Sequence, residues 1–154
     1  MKLLNEYIDA YLTTIKYLDD VVSEPAMEFG LSFEQYLIMH NVAHHHSGLT
    51  LTEIVESRNV TRAAISRQIK MLLRKQYIYQ VPDRHDRRRM LLYLTPEGRE
   101  VEQVVTERVQ RRFEGWVESF GEESAKRGLR MLRLIEQKIV SKSRARIRAR
   151  QLMM

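Results

Sequence analysis

The chain has 154 residues, 44% hydrophobic and 30% charged, with 26 Lys/Arg against 20 Asp/Glu and no cysteine. That is enough apolar content for one core, and the missing cysteine excludes a disulfide framework, a thiolate metal site and a thiol redox switch. The net charge of +6 is laid down unevenly: residues 1–57 carry a net of −7, residues 58–89 a net of +8, residues 90–140 balance, and residues 141–154 add +5. A nearly neutral body with one basic stretch is the electrostatic pattern of a polyanion binder. No run of about eighteen apolar residues occurs, so no membrane span or stable membrane association is expected. Acids inside MKLLNEYIDAYLTT argue against a signal peptide, and a cytoplasmic location is expected.

In chain order, Leu4, Ile8, Tyr11, Leu12, Ile15, Leu18 and Val22 recur at three- and four-residue steps and predict a helix over 3–22. Ser23-Glu24-Pro25 is expected to end it, because proline disfavours helix at the residue before it. Ser32 with Gln35 forms a capping box and predicts a second helix over 33–46, closed by Ser47-Gly48. Thr50 with Glu53 forms another and predicts a short third helix ending near Arg58. Asn59 is expected at the turn, since Asn tolerates the left-handed conformation. Thr61 is expected to cap a fourth helix that runs to about Lys75. Leu51, Ile54, Val55, Val60, Ile65, Ile69 and Leu72 are its and its partner's inward face.

Two short helices with so brief a turn match helix-turn-helix geometry. Residues 78–81 and 90–94 read as two strands, joined by a charged loop from Pro82 to Arg89. That makes a winged helix-turn-helix. Thr95-Pro96-Glu97 opens a long helix with a cap, a proline and an acid in the first turn. Its stripe runs through Val101, Val105, Val109, Phe113, Trp116 and Phe120 to Gly121. A last helix over 122–140 carries Ala125, Leu129, Leu132, Ile135 and Ile139 on one face. The fold class is therefore mainly α with a small β-wing.

At this point the chain resembles the MarR family of bacterial transcription regulators over most of residues 5–140. The specific stretch is Asp86-Arg87-Arg88, then Leu94-Thr95 and Gly98; the family's wing carries Asp-x-Arg at this distance from Leu-Thr-x-x-Gly. Val60-Thr61-Arg62-Ala63-Ala64-Ile65-Ser66-Arg67 matches its recognition helix. Two positions depart: Gln76-Tyr77 stand where the family has glycine after that helix, and Asn59 where it often has glycine in the turn. The resemblance implies one domain over 1–140, with the winged helix-turn-helix at about 48–95 and dimerisation helices at about 1–30 and 96–140. The basic tail 141–154 has no counterpart. It is left to extend the last helix, stay disordered, reach flanking DNA or meet an anionic membrane surface.

The N-terminal part of a recognition helix reaches base edges in the major groove. Thr61, Arg62, Ala63, Ser66 and Arg67 lie there, with Arg62 and Arg67 as readers of guanine. Lys70 and Arg74 lie further along and are expected on phosphate. In the wing, Arg88 is assigned to the minor groove, its guanidinium steered by Asp86. Arg84, Arg87 and Arg89 are expected to grip phosphates, giving affinity without sequence information.

The first and last helices have apolar faces that a small winged domain cannot cover, so a homodimer is expected, with Leu3, Leu4, Ile8, Phe113, Trp116, Phe120, Leu132 and Ile135 at its interface. The resemblance also implies a small aromatic or lipophilic effector acting as inducer. Tyr7, Tyr11, Tyr36, Met39 and His40 are candidates to line its pocket, and ordinary core packing is the alternative. His40 and His44, four apart, leave metal sensing open, although two ligands are not a site. His44 to His46 also suit the negative end of a helix dipole. No catalytic motif occurs, and no enzyme, metal or cofactor is expected. The expected function is a sequence-specific, ligand-responsive repressor on a palindromic operator. The alternatives are a non-specific architectural DNA-binding protein and a metal-sensing regulator.

Overall fold

The computed structural model describes residues 1–58 and 60–141, and of Ile15 and Lys16 the backbone alone. The expected turn role of Asn59 and the basic tail from residue 142 lie outside the described residues. The chain divides into two units, Met1–Val109 and Gln110–Met154.

In the first unit the order is α1 (Lys2–Met27), α2 (Phe33–Ala43), β1 (Leu49–Thr50), α3 (Leu51–Arg58), α4 (Arg62–Arg74), β2 (Ile78–Pro82) and β3 (Met90–Leu94), then the start of α5 (Pro96–Phe120). The three expected caps form. Ser32 and Gln35 bond reciprocally at α2, Thr50 and Glu53 do so at α3, and the Thr61 hydroxyl accepts the Ala64 N–H at α4. Ile38, Met39, Ile54, Ile65, Leu72, Leu92 and Val105 are the large side chains that are fully buried. The core therefore lies where α2, α3, α4 and the sheet meet the first turns of α5.

Four details differ from the sequence expectation. α1 does not stop before Pro25 but continues to Met27, with Pro25 and Ala26 both buried. Burial at the end of the helix outweighs one lost backbone bond in its last turn. α2 ends at Ala43, not at His46: the His45 N–H turns back to the Val42 carbonyl and Gly48 takes φ 82. A Cβ on Gly48 would sit 2.6 Å from the Tyr93 ring, so only glycine lets the chain bend there. That bend feeds β1, which the sequence did not reveal. The sheet has three strands in the order β1-β3-β2, with Leu49 opposite Leu92 and Ile78 opposite Leu94. Val60, expected inside, is 38% exposed.

The helix α4 ends in a Schellman motif. Lys75 is the C-cap, the Gln76 N–H bonds to Leu73 and the Tyr77 N–H to Leu72. Gln76 has φ 58, the left-handed conformation that glycine adopts without steric cost. Gln76→Gly is expected to stabilise the fold by about 0.5–1 kcal/mol, the relief at φ being partly offset by a freer unfolded chain. Urea unfolding checks it; a lower midpoint would show that the Gln76 side chain stabilises the turn.

The second unit holds the end of α5, Gly121, α6 (Glu122–Ile135) and a π-helical turn (Glu136–Val140) where the sequence predicts plain helix. None of the residues of α6 is buried. An apolar groove of about 740 Å³ is lined by Phe113, Val117, Phe120, Ala125, Leu129 and Leu132, among others.

Candidate nucleic-acid interface

α4 buries Ile65, Ile69 and Leu72 and turns its other side outward. At 100° per residue, Arg62, Ala63, Ser66, Arg67, Lys70 and Arg74 fall within an arc of about 140°. Ser66 is half-buried and the other five are exposed. Thr61 is exposed too, and its oxygen is engaged as the cap while its proton is free to donate. The Arg62 guanidinium donates to the Thr52 hydroxyl at 3.1 Å, which braces it against α3. The pair α2–α3 is locked by Arg58, whose Nε and Nη2 reach the two Glu34 oxygens at 2.8 and 2.9 Å. Arg58 belongs to the basic stretch by sequence, yet its charge serves the fold. A forked ion pair 24 residues apart leaves no local signal in the sequence.

The wing is a tight polar turn. The Arg89 N–H bonds to the Asp86 carbonyl and the Asp83 N–H to the Arg89 carbonyl, both at 2.9 Å. The Asp83 carboxylate accepts the His85 N–H at 2.8 Å. Asp86 does not steer the Arg88 guanidinium as expected. Its carboxylate accepts the backbone N–H of Arg88 at 3.0 Å, an Asx-turn that shapes the loop instead of aiming the side chain. Arg84, Arg87 and Arg88 are exposed. Arg89 lies 3.7 Å from Glu53 and 4.0 Å from Asp83.

The five residues assigned to an effector pocket do not form one group. Tyr7 and Tyr11 are exposed on α1, where they line a shallow groove with Leu3, Glu6, Ala10 and Thr14. Tyr36 and Met39 are buried in the core. His40 lies beside Tyr36, ring centroids 5.7 Å apart. Sequence reasoning missed what joins α2 to α5 here. Glu102 is buried, and its Oε1 accepts from His40 Nδ1 at 2.8 Å and from the Thr106 hydroxyl at 2.7 Å. The Thr106 proton being spent, Tyr36 is the donor in its 3.1 Å bond to Thr106.

Burial pushes the Tyr36 phenol above its ordinary pKa, and the Glu102 charge acts in the same direction. A raised pKa means that the folded state holds this proton more tightly. Its contribution is complete below the ordinary value of about 10 and is lost as pH rises through it to the folded value. Tyr36→Phe is expected to flatten the fall of the thermal midpoint above about pH 10, while costing about 1 kcal/mol at neutral pH. An equally steep alkaline fall in the variant would assign that fall to other groups.

The histidine run serves its own helix. His44 and His45 donate from Nδ1 to the carbonyls of His40 and Asn41, at 2.8 and 2.7 Å. Among the described residues no three His, Asp or Glu side chains are grouped to hold a metal ion. None of the described helices is long and apolar enough to cross a membrane.

Residues 29–89, which hold α2 to α4 and most of the wing, match the MarR family model. HTH-type transcriptional regulators of Staphylococcus aureus strains Mu50 and N315 are 29% identical over 111 residues, covering 71% of this chain and 74% of theirs. Among solved structures, a MarR family transcription regulator superposes with a TM-score of 0.80 at 15% identity, over 93% of this chain and 94% of its own. The Staphylococcus aureus MepR–DNA complex gives 0.74 at 22% identity, over 84% and 96%. Staphylococcus aureus MarR in complex with salicylate and kanamycin gives 0.74 at 20%, over 92% and 95%. With the capped α3–α4 pair, the three-stranded wing and the Leu94-Thr95-x-x-Gly98 junction in place, the chain has the winged-helix fold of these regulators, and its residues 29–89 match the MarR family model.

Proposed function

We propose that this chain binds duplex DNA as a homodimer, reads a palindromic operator as a repressor in the cytoplasm, and is released by a small aromatic or lipophilic effector. The observation that carries the DNA reading is the outward arc of α4, Arg62 to Arg74, on the same unit as a wing with four exposed arginines. In this reading Arg62 and Arg67 read bases in the major groove, Arg88 enters the minor groove, and Lys70, Arg74, Arg84 and Arg87 meet phosphate. MepR of the same fold is known in complex with DNA, and MarR with salicylate. These support the DNA partner and the effector class.

The dimer reading rests on exposed apolar side chains. Leu3 is 71% exposed, Phe113 55% and Leu132 65%. Leu4, Ile8 and Phe120 are exposed as well, while Trp116 and Ile135 are half covered. Leaving such faces in water forgoes roughly 25 cal/mol for each Å² that a second copy would cover. Selection of random-sequence duplexes on the immobilised protein tests the proposal. Two inverted half-sites about 10 base pairs apart are expected, since a two-fold dimer places its recognition helices one DNA turn apart. Enrichment of a single half-site would contradict the dimer, and no enriched motif would favour an architectural role.

A further inference from the structure

Three arginines of the wing loop, Arg84, Arg87 and Arg89, look interchangeable in sequence, and the structure separates Arg89 from the other two. Arg89 closes the loop: its carbonyl accepts the Asp83 N–H, and its guanidinium lies between Asp83 and Glu53. Glu53 belongs to the first turn of α3, far from the wing in sequence. Its carboxylate has two tasks, one per oxygen. Oε2 accepts the Thr50 N–H at 2.8 Å and the Thr50 hydroxyl at 2.6 Å, while Oε1 faces Arg89.

We propose that Glu53 is a positioning residue for DNA binding: its fixed Oε1 holds Arg89, and Arg89 tethers the root of the wing to α3 instead of clamping a phosphate. This rests on the DNA reading given under Proposed function and assigns parts within it. Three observations support it. The Thr50 hydroxyl and N–H hold the Glu53 carboxyl below the usual carboxylate range, so it is ionised at neutral pH. The same bonds immobilise it, so that an arginine docking on Oε1 orders only one flexible side chain. Asp83, on the other side of Arg89, is fixed by the His85 N–H. Arg89 is exposed like Arg84, Arg87 and Arg88, and what sets it apart is the two held carboxylates around its guanidinium, which leave little net positive charge there for phosphate.

The tether makes a prediction opposite to simple electrostatics. Glu53→Gln removes a negative charge beside a surface that meets a polyanion, which by charge alone tightens binding. As a tether, its loss loosens the wing and weakens binding. Glutamine keeps a capping oxygen for Thr50, so this variant cuts the tether and spares the helix start; Glu53→Ala cuts both.

The test compares the full-length wild type with Glu53→Gln, Arg89→Gln and the double variant. Hydrogen exchange is read at the Asp83 and Arg89 amides, and affinity for a random-sequence duplex across a salt series. Both single variants are expected to exchange these amides about two- to fivefold faster, the range a half-exposed ion pair can hold. The double variant should add nothing to either. Duplex affinity should fall by up to about fivefold in Glu53→Gln, and Arg89→Gln should keep the wild-type salt slope. Unchanged wing exchange, tighter binding by Glu53→Gln, or a slope flattened by about 0.9 in Arg89→Gln would each overturn the tether, the last by making Arg89 a phosphate contact. Wild-type protein that binds no duplex would overturn the DNA reading, and the exchange data would then decide the tether alone.

Discussion

Gly98→Ala is expected to lower stability by about 3 kcal/mol, the upper end of what overpacking costs. Gly98 sits in the first turn of α5, where its N–H bonds to the Thr95 hydroxyl at 3.0 Å. A Cβ built there lies 1.9 Å from the Tyr77 carbonyl oxygen and 2.7 Å from its carbon. The obstacle is backbone, not the tip of a flexible side chain. It is also pinned: the Tyr77 carbonyl accepts the Thr95 N–H at 3.0 Å, and the neighbouring Gln76 carbonyl accepts the Thr95 hydroxyl at 2.7 Å. Any shift that admits the methyl group breaks this junction between α4, β3 and α5. The urea midpoint should therefore drop by about 1–3 M, given slopes of about 1–3 kcal/mol/M. A loss under about 1 kcal/mol would mean that the Tyr77 segment yields and that the close approach is not what demands glycine. The Leu-Thr-x-x-Gly pattern thus has a physical reading: the threonine ties the helix start to the end of α4, and the glycine lets the two backbones touch.

The second large effect separates reading from holding. Arg67→Ala is expected to cost about 1–3 kcal/mol at the selected operator and to relax preference at one base position. Arg67 is exposed on the outward arc of α4, where a guanidinium can form two bonds to one guanine edge. Arg87→Ala is expected to weaken every duplex alike and to flatten the salt slope by about one counterion. Arg87 stands exposed at the wing tip. Equal losses on operator and random duplex in both variants would contradict the division into reader and clamp.

What was legible in the sequence is what local chemistry decides. Ser32 with Gln35, Thr50 with Glu53, and Thr61 announce three helix starts because a cap is a bond within three or four residues. The strands of the wing show their aromatic and aliphatic content over five residues each. β1 has only two residues, too few for a period, and it exists because Leu49 and Thr50 pair with Leu92 and Leu91. Pro25 argues for a helix end by itself and is overruled by the burial of its neighbour Ala26. At the candidate site, the outward arc of α4 follows from periodicity. The roles of charged side chains do not. Arg58 goes to Glu34, Arg89 to Glu53, and Asp86 to a backbone N–H, and each choice depends on which elements the fold brings together. The Tyr36–Thr106–Glu102–His40 network is hidden for the same reason.

The central claim is that the basic face of this chain reads sequence and does not merely attract polyanions. Fluorescence anisotropy at physiological salt tests it most directly, with labelled duplex from upstream of the protein's own gene set against random duplex. A preference of about a thousandfold or more is expected of a specific regulator at its operator. Equal affinity for this DNA, for the motif recovered by selection and for random duplex would contradict the account.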